Sequence, residues 1–231
     1  MRTNDMPEKM DAPDCDPALL ERTYRHFDVI NALFSGWRGV YQRHLRPHLS
    51  ASQPQRLLDI GFGGGDVPRK LAMWAAQDGL KLEITAIDAD ARALRYVSAL
   101  SPVPGVQFRQ AMSHELVREG QTFDLVVSNH MLHHLSPAEL STLLEDSQQL
   151  CGEGGKVIHS DLERHPLAYA LFNALTVPLF RRSLIRHDGL LSIRRSFTPS
   201  ELRQIAPPGW QVMRGAPFHT LLIYSPTNQN A

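Results

Sequence analysis

Cysteine is scarce in this sequence: Cys15 and Cys151 are the only two, and no metal or disulfide spacing links them. That excludes a disulfide scaffold or a thiolate cluster and fits a reducing cytoplasm. An excess of charge is also missing, since 24 lysines and arginines face 24 aspartates and glutamates. With no global field to hold a polyanion, nucleic acid is excluded as a default partner. Long hydrophobic runs are absent too. The most apolar stretch, 167–180, is broken by Asn173 and Pro178 and falls short of the roughly 20 residues that a bilayer span needs. Residues 1–17 are polar and charged, without the apolar centre of a signal peptide. Repeats and low-complexity tracts are not found. What remains, 42% hydrophobic and 21% charged residues in 231, describes one soluble α/β-sized domain with a modest addition.

The rhythm of apolar residues orders the elements. Residues 1–15 read as a disordered tail. Asp16-Pro17 supplies a helix cap and a first-turn proline, and Leu19, Leu20, Tyr24, Phe27 and Ile30 recur at helical spacing. A second helical stretch runs from Trp37 to about Pro47, so 16–50 is a pair of helices ahead of the main domain, 51–231. From Arg56 onward strands at 57–60, 82–87, 106–109, 123–127 and 156–159 alternate with helices at 67–76, 90–100 and 136–150. Gly154-Gly155 reads as the turn into the fifth strand. Ser136-Pro137-Ala138-Glu139 and Thr198-Pro199-Ser200-Glu201 are capping boxes. Strands at 210–214 and 218–224 flank Gly215-Ala216-Pro217 and read as a hairpin. The fold expected is a doubly wound, mostly parallel sheet with a C-terminal antiparallel hairpin.

Asp59-Ile60-Gly61-Phe62-Gly63-Gly64-Gly65 leaves the first strand and enters the first helix of that sheet. Glycines there permit a tight turn and close approach of backbone to a ligand. A dinucleotide fingerprint would require glycine at position 66, which is Asp66. A carboxylate at that helix start opposes a bound pyrophosphate and argues against a nicotinamide oxidoreductase. The pattern instead suits a nucleoside carrying an amino acid and no phosphate. Asp59 can face an ammonium group, and Asp88, closing the second strand, can accept from two ribose hydroxyls.

LLDIGFGGGD at 57–66, ITAIDAD at 84–90, FDLVVSNHMLHHL at 123–135 and LCGEGGKVI at 150–158 follow the order seen in class I S-adenosylmethionine-dependent methyltransferases, which this chain resembles. The segment HFDVINALFSGWR at 26–38 is similar to the start of ubiquinone/menaquinone-type enzymes. More loosely, the chain is similar to small-molecule methyltransferases associated with type III polyketide synthases. The resemblance implies a seven-stranded sheet with S-adenosylmethionine above the strand ends, held by Asp59, Gly61, Gly63, Gly65 and Asp88. It also implies that the N-terminal helices close over the cofactor, making Tyr24, Phe27 and Trp37 candidate lid residues. Asn129 stands where the family's loop passes the methionine end. The acid that often binds adenine is replaced by Gln110-Ala111-Met112, so Ala111 and Met112 are expected to hold the base by backbone and apolar contact.

His130, His133 and His134 follow the fourth strand. A metal is not expected there, because the helical HExxH pattern and its glutamate are missing. A general base is the sharper reading. A phenol titrates near pH 10, so a neutral imidazole taking its proton assists transfer at neutral pH. His130 is the first candidate and His187 the second. Residues 162–197 form an insertion far longer than the usual connection of about 2–6 residues. Its first half is apolar (Leu167, Leu171, Phe172, Leu175, Phe180) and its second half carries Arg181, Arg182, Arg186, Arg194 and Arg195. It reads either as packed helix with a solvated rim or as the wall of a lipophilic acceptor site. The acceptor expected is a small hydrophobic molecule, phenolic, polyketide- or quinone-like, with oxygen favoured over ring carbon. Peripheral membrane contact stays open, as does a methyltransferase-like module that binds cofactor without chemistry.

Overall fold

The structure is a computed structural model that describes residues 2, 6, 8–179 and 183–226. Seven strands form one sheet in the order β3-β2-β1-β4-β5-β7-β6. They are β1 (Gln55–Ile60), β2 (Leu82–Asp88), β3 (Val106–Gln110), β4 (Phe123–Asn129), β5 (Cys151–Leu162), β6 (Trp210–Gly215) and β7 (His219–Tyr224). The first five are parallel, and β7 runs antiparallel to both β5 and β6. The expected sheet and its terminal hairpin are therefore present.

Helices cover both faces. In chain order they are α1 (Pro17–Phe34), α2 (Trp37–Val40), α3 (Asp66–Gln77), α4 (Ala91–Ser98), α5 (Ser113–Arg118), α6 (Pro137–Leu150), α7 (Pro166–Leu179), α8 (Ile185–Arg195) and α9 (Pro199–Ile205). The caps form as their residue types dictate. Asp16 accepts from the Leu19 amide, Ser136 from Glu139 and Thr198 from Glu201, and the glutamate of each box reaches back. Leu57, Leu58, Leu125, Val126 and Val127 on the central strands are sealed from solvent. Truncating such a leucine to alanine costs about 2–5 kcal/mol. No helix of the described residues is long and apolar enough to cross a membrane.

Four details differ from the sequence reading. Gly154-Gly155 does not precede β5 but lies within it, beside an irregularity in register between Phe123 and Leu125. A Cβ on Gly155 would meet the Asp124 carbonyl at 2.7 Å, so glycine there allows the strands to close. α5 was not anticipated; it is a single capped turn with little apolar periodicity. The insertion is two helices, α7 and α8, rather than a single packed helix.

The described part of 1–15 is the fourth. Glu8 is buried, Lys9–Asp11 form a 3-10 turn, and the Lys9 and Met10 amides donate to the Asp188 carboxylate at 3.1 and 3.0 Å. Arg92 donates to the Ala12 and Met10 carbonyls. Polar anchors hold this segment, so it carries no apolar rhythm that would mark it as ordered.

Candidate active site

A cavity of about 420 Å³ opens above the C-terminal ends of β1, β2 and β4. Between β1 and β4 the strand order reverses direction, the place where an open α/β sheet leaves a crevice. α1, the segment around Glu8, Met10 and Asp11, and α8 roof it. Asn31 on α1 donates twice to Asp66, at 3.0 and 3.2 Å, and so ties the roof to the start of α3.

At one end lies the glycine loop. Gly61 and Gly63 line the cavity with φ of 78° and 50°, the left-handed region that glycine alone enters freely. The Asp88 carboxylate accepts from the Gly63 amide at 2.8 Å and the Asp90 amide at 2.9 Å, which fixes it at the rim with lone pairs to spare. Asp59 is buried, its Oδ2 has no partner, and burial, followed by repulsion from Asp66 and Asp88, pushes its carboxyl up to about 8. Asn129 Oδ1, at the end of the neighbouring strand β4, is likewise sealed and unpartnered. A buried acceptor without a donor is costly. Two of them lining one cavity fit an incoming group rich in N–H donors, as the ammonium of S-adenosylmethionine is. Ala111 is buried and Met112 half exposed at the same end. Gly65 does not line the cavity. A Cβ there would stand 2.8 Å from Val97 and 3.1 Å from Phe108, so its role is close packing of helix on sheet.

At the other end lie the histidines. His130 has φ 53°, unusual for a residue with a Cβ, and its amide is anchored on the Ser160 carbonyl at 2.8 Å. Its Nε2 lies 2.9 Å from Nε2 of His219. Burial and then the His219 ring hold His130 down to about 3, so it is neutral. His133 is the opposite case. Asp161 sits 2.6 Å from its Nδ1 and Glu8 3.5 Å from its Nε2, and the two carboxylates outweigh burial and raise it to about 10. Glu8 drops to about 2, held there against burial by His133 and His134. The carboxylate that the sequence reading found missing beside these histidines is therefore supplied, from position 8. Among the described residues, Glu8, His133 and His134 stand close enough to share one cation.

The remaining candidates separate. Tyr24 and Phe27 line the cavity, whereas Trp37 is buried among Val40, Tyr41 and Leu71 in a core cluster and does not reach it. His187 lies outside, half exposed and paired with Asp188 at 2.8 Å, so the geometry removes it as a base. From the insertion, Phe172, Ile185, Gly189 and Ser192 face the cavity, while Leu167 is exposed and Leu171 and Leu175, half exposed, line a smaller apolar cleft against Pro217, Phe218 and His219. The arginines are not a free rim. Arg164 pairs with Glu201, Arg186 with Asn173, Arg194 with the Tyr169 hydroxyl, and Arg195 with the His134 carbonyl. Phe180, Arg181 and Arg182 lie outside the described residues. Glu8, Asp161 and His219 were missed by the sequence reading. The only hint was at 159–161, where a strand expected to be buried turns polar.

Residues 57–155 match the family model of a methyltransferase domain. Over 186 residues the chain is 32% identical to a ubiquinone biosynthesis O-methyltransferase of Alkalilimnicola ehrlichii, covering 78% of this chain and 69% of that protein. The chain belongs to the class I S-adenosylmethionine-dependent methyltransferases. A protein of the same name from Acinetobacter baylyi is 26% identical over 185 residues, covering 78% and 72%. Among solved structures, human N-acetylserotonin methyltransferase with S-adenosylmethionine superposes with a TM-score of 0.64 at 15% identity, covering 92% of this chain and 57% of that one. The plantazolicin methyltransferase BpumL with S-adenosylhomocysteine does so with 0.64 at 16%, covering 94% and 93%. These two share the fold. As a member of this family the chain is an enzyme that takes S-adenosylmethionine as methyl donor, which sets aside the nicotinamide reading.

Proposed function

We propose that this methyltransferase acts on the hydroxyl oxygen of a small hydrophobic phenol or quinol, with His130 as the base. The observation that carries the reading is geometric: the His130 side chain lines the cavity at the end of β4, next to the unpartnered Asn129. S-adenosylmethionine, when bound, supplies an electrophilic methyl group. The protein's own residues do the rest. Asp59, Asp88 and the loop of Gly61 and Gly63 bind and orient the donor, with Ala111 and Met112 against its base. Tyr24, Phe27, Ile185 and Phe172 keep water from the reacting atoms, and His130 takes the hydroxyl proton. Transfer is a direct displacement, so alignment supplies much of the rate.

The relatives named as ubiquinone biosynthesis O-methyltransferases support oxygen as the atom and a quinone-type acceptor. Leu167, Leu171 and Leu175, spaced four apart on the outer side of α7, support entry of such an acceptor from a membrane surface. Two free cysteines in one chain support a cytoplasmic setting. His130→Ala should lower turnover about 10²–10⁴-fold, with S-adenosylhomocysteine affinity unchanged by calorimetry. Across a series of phenols the loss should shrink as the phenol becomes more acidic. An equal loss for all phenols, or a matching fall in melting temperature, assigns His130 to packing instead.

A further inference from the structure

Two contacts in the terminal hairpin fix where the protons sit on a pair of rings. His219 Nδ1 lies 2.6 Å from the Pro217 carbonyl oxygen. A carbonyl only accepts, so this nitrogen carries the hydrogen. The other nitrogen of a neutral His219 is then a lone pair, and it faces His130 Nε2 at 2.9 Å. A hydrogen must lie between them, so it belongs to His130 Nε2. His130 is left with its lone pair on Nδ1. That atom has no hydrogen-bond partner among the described residues, and His130 lines the cavity.

We propose that His219 is a positioning residue that sets the tautomer of His130 and makes Nδ1 the proton-accepting atom. The inference rests on the reading of His130 as base and adds which nitrogen acts and what selects it. Topology explains how a residue 89 positions away reaches the site. β7 runs antiparallel to β5 with His219 opposite Leu162, so the first residue of the last strand arrives at the C-terminal edge where the parallel strands end. The backbone of His130 is held in its left-handed turn by the bond from its amide to the Ser160 carbonyl, and the ring is held at Nε2 by His219. When His130 accepts a proton on Nδ1, its Nε2–H becomes a donor from a cation, and the bond to His219 strengthens. Repulsion between the rings arises only if both are charged. Burial keeps His219 below its ordinary value, so it stays the neutral partner.

The test uses the full chain labelled with ¹⁵N at histidine. In the wild type, ring correlations should place the His130 hydrogen on Nε2 and the His219 hydrogen on Nδ1. A His130 hydrogen on Nδ1 overturns the proposal without any variant. His219→Leu removes the acceptor and should shift His130 toward the other tautomer. Turnover should fall about tenfold or more, since a base in the wrong tautomer offers no lone pair, with KM for the donor unchanged. His219→Gln, whose amide oxygen can accept from Nε2, should restore both the tautomer and most of the turnover. Full activity with an unshifted tautomer in His219→Leu overturns the proposal while leaving His130 as base. Unchanged turnover in His130→Ala removes the base reading, whereas the wild-type spectrum still decides what His219 does.

Discussion

At the glycine-loop end of the cavity the walls come from short contiguous stretches, 59–66 and 88–90, and two of their neighbouring acceptors, Asp59 Oδ2 and Asn129 Oδ1, are left without donors. At the histidine end Glu8, His133, Asp161 and His219 come from both extremes of the described chain, and each is already engaged: His133 between two carboxylates, His130 against His219. The first arrangement stores unmet hydrogen-bonding capacity for a ligand. The second spends its polar groups on one another and so defines the shape and protonation of the acceptor side before anything binds.

The largest break in that contrast should come from Glu8→Gln. Removing one charge of a buried pair leaves its partner uncompensated and should cost about 3 kcal/mol in urea unfolding. The pH dependence follows from both partners. Glu8, at about 2, lies below its free value of 4.5, so its contribution is complete above that value and is lost as pH falls toward 2. His133, at about 10, lies above its free value of 6.5, so its contribution is complete below 6.5 and is lost as pH rises toward 10. The wild-type advantage over Glu8→Gln should be widest between pH 4.5 and 6.5 and narrow on either side. A pH-independent difference would mean that packing, not charge, holds Glu8.

Asp88→Ala tests the other end. It removes hydrogen bonds to a charged acceptor, worth about 1.5–3 kcal/mol each, and should weaken S-adenosylhomocysteine roughly tenfold or more in calorimetry. Stability should change less than for Glu8→Gln, because the carboxylate sits at the rim. An unchanged affinity would take Asp88 out of the donor site. The smallest effect expected is none: activity should persist in a chelator, because transfer from a sulfonium is a direct displacement in which alignment supplies much of the rate. Stoichiometric zinc or magnesium in the purified protein, with turnover lost on its removal, would overturn this.

The same contrast explains what could be read from the amino-acid order. Asp59, the glycines and Asp88 sit within local patterns whose spacing is dictated by one strand, one turn and one helix, and seven of the eight expected donor-site residues line the cavity. Gly65 is the exception, because a glycine needed for helix-on-sheet packing has the same local signature as one that meets a ligand. Trp37 failed for a related reason: helical periodicity reports that a face is buried, not against what. The histidine triplet was visible, but its partners were not. Glu8 lies in a stretch held by polar anchors, and His219 owes its place to strand direction rather than to neighbours in sequence. His187 stood as the second candidate base until the fold put it outside the cavity.

The antiparallel final strand also sets an order in time. Residues 55–135 contain the loop, its acids and the triplet, and they can collapse early through contacts of short and middle range. His219 closes against His130 only after the whole remaining chain has been made and folded back, a long-range step that pays its loop entropy late. On the proposed roles of His130 and His219, a chain interrupted before its last hairpin holds the glycine loop but lacks the ring that faces His130 Nε2.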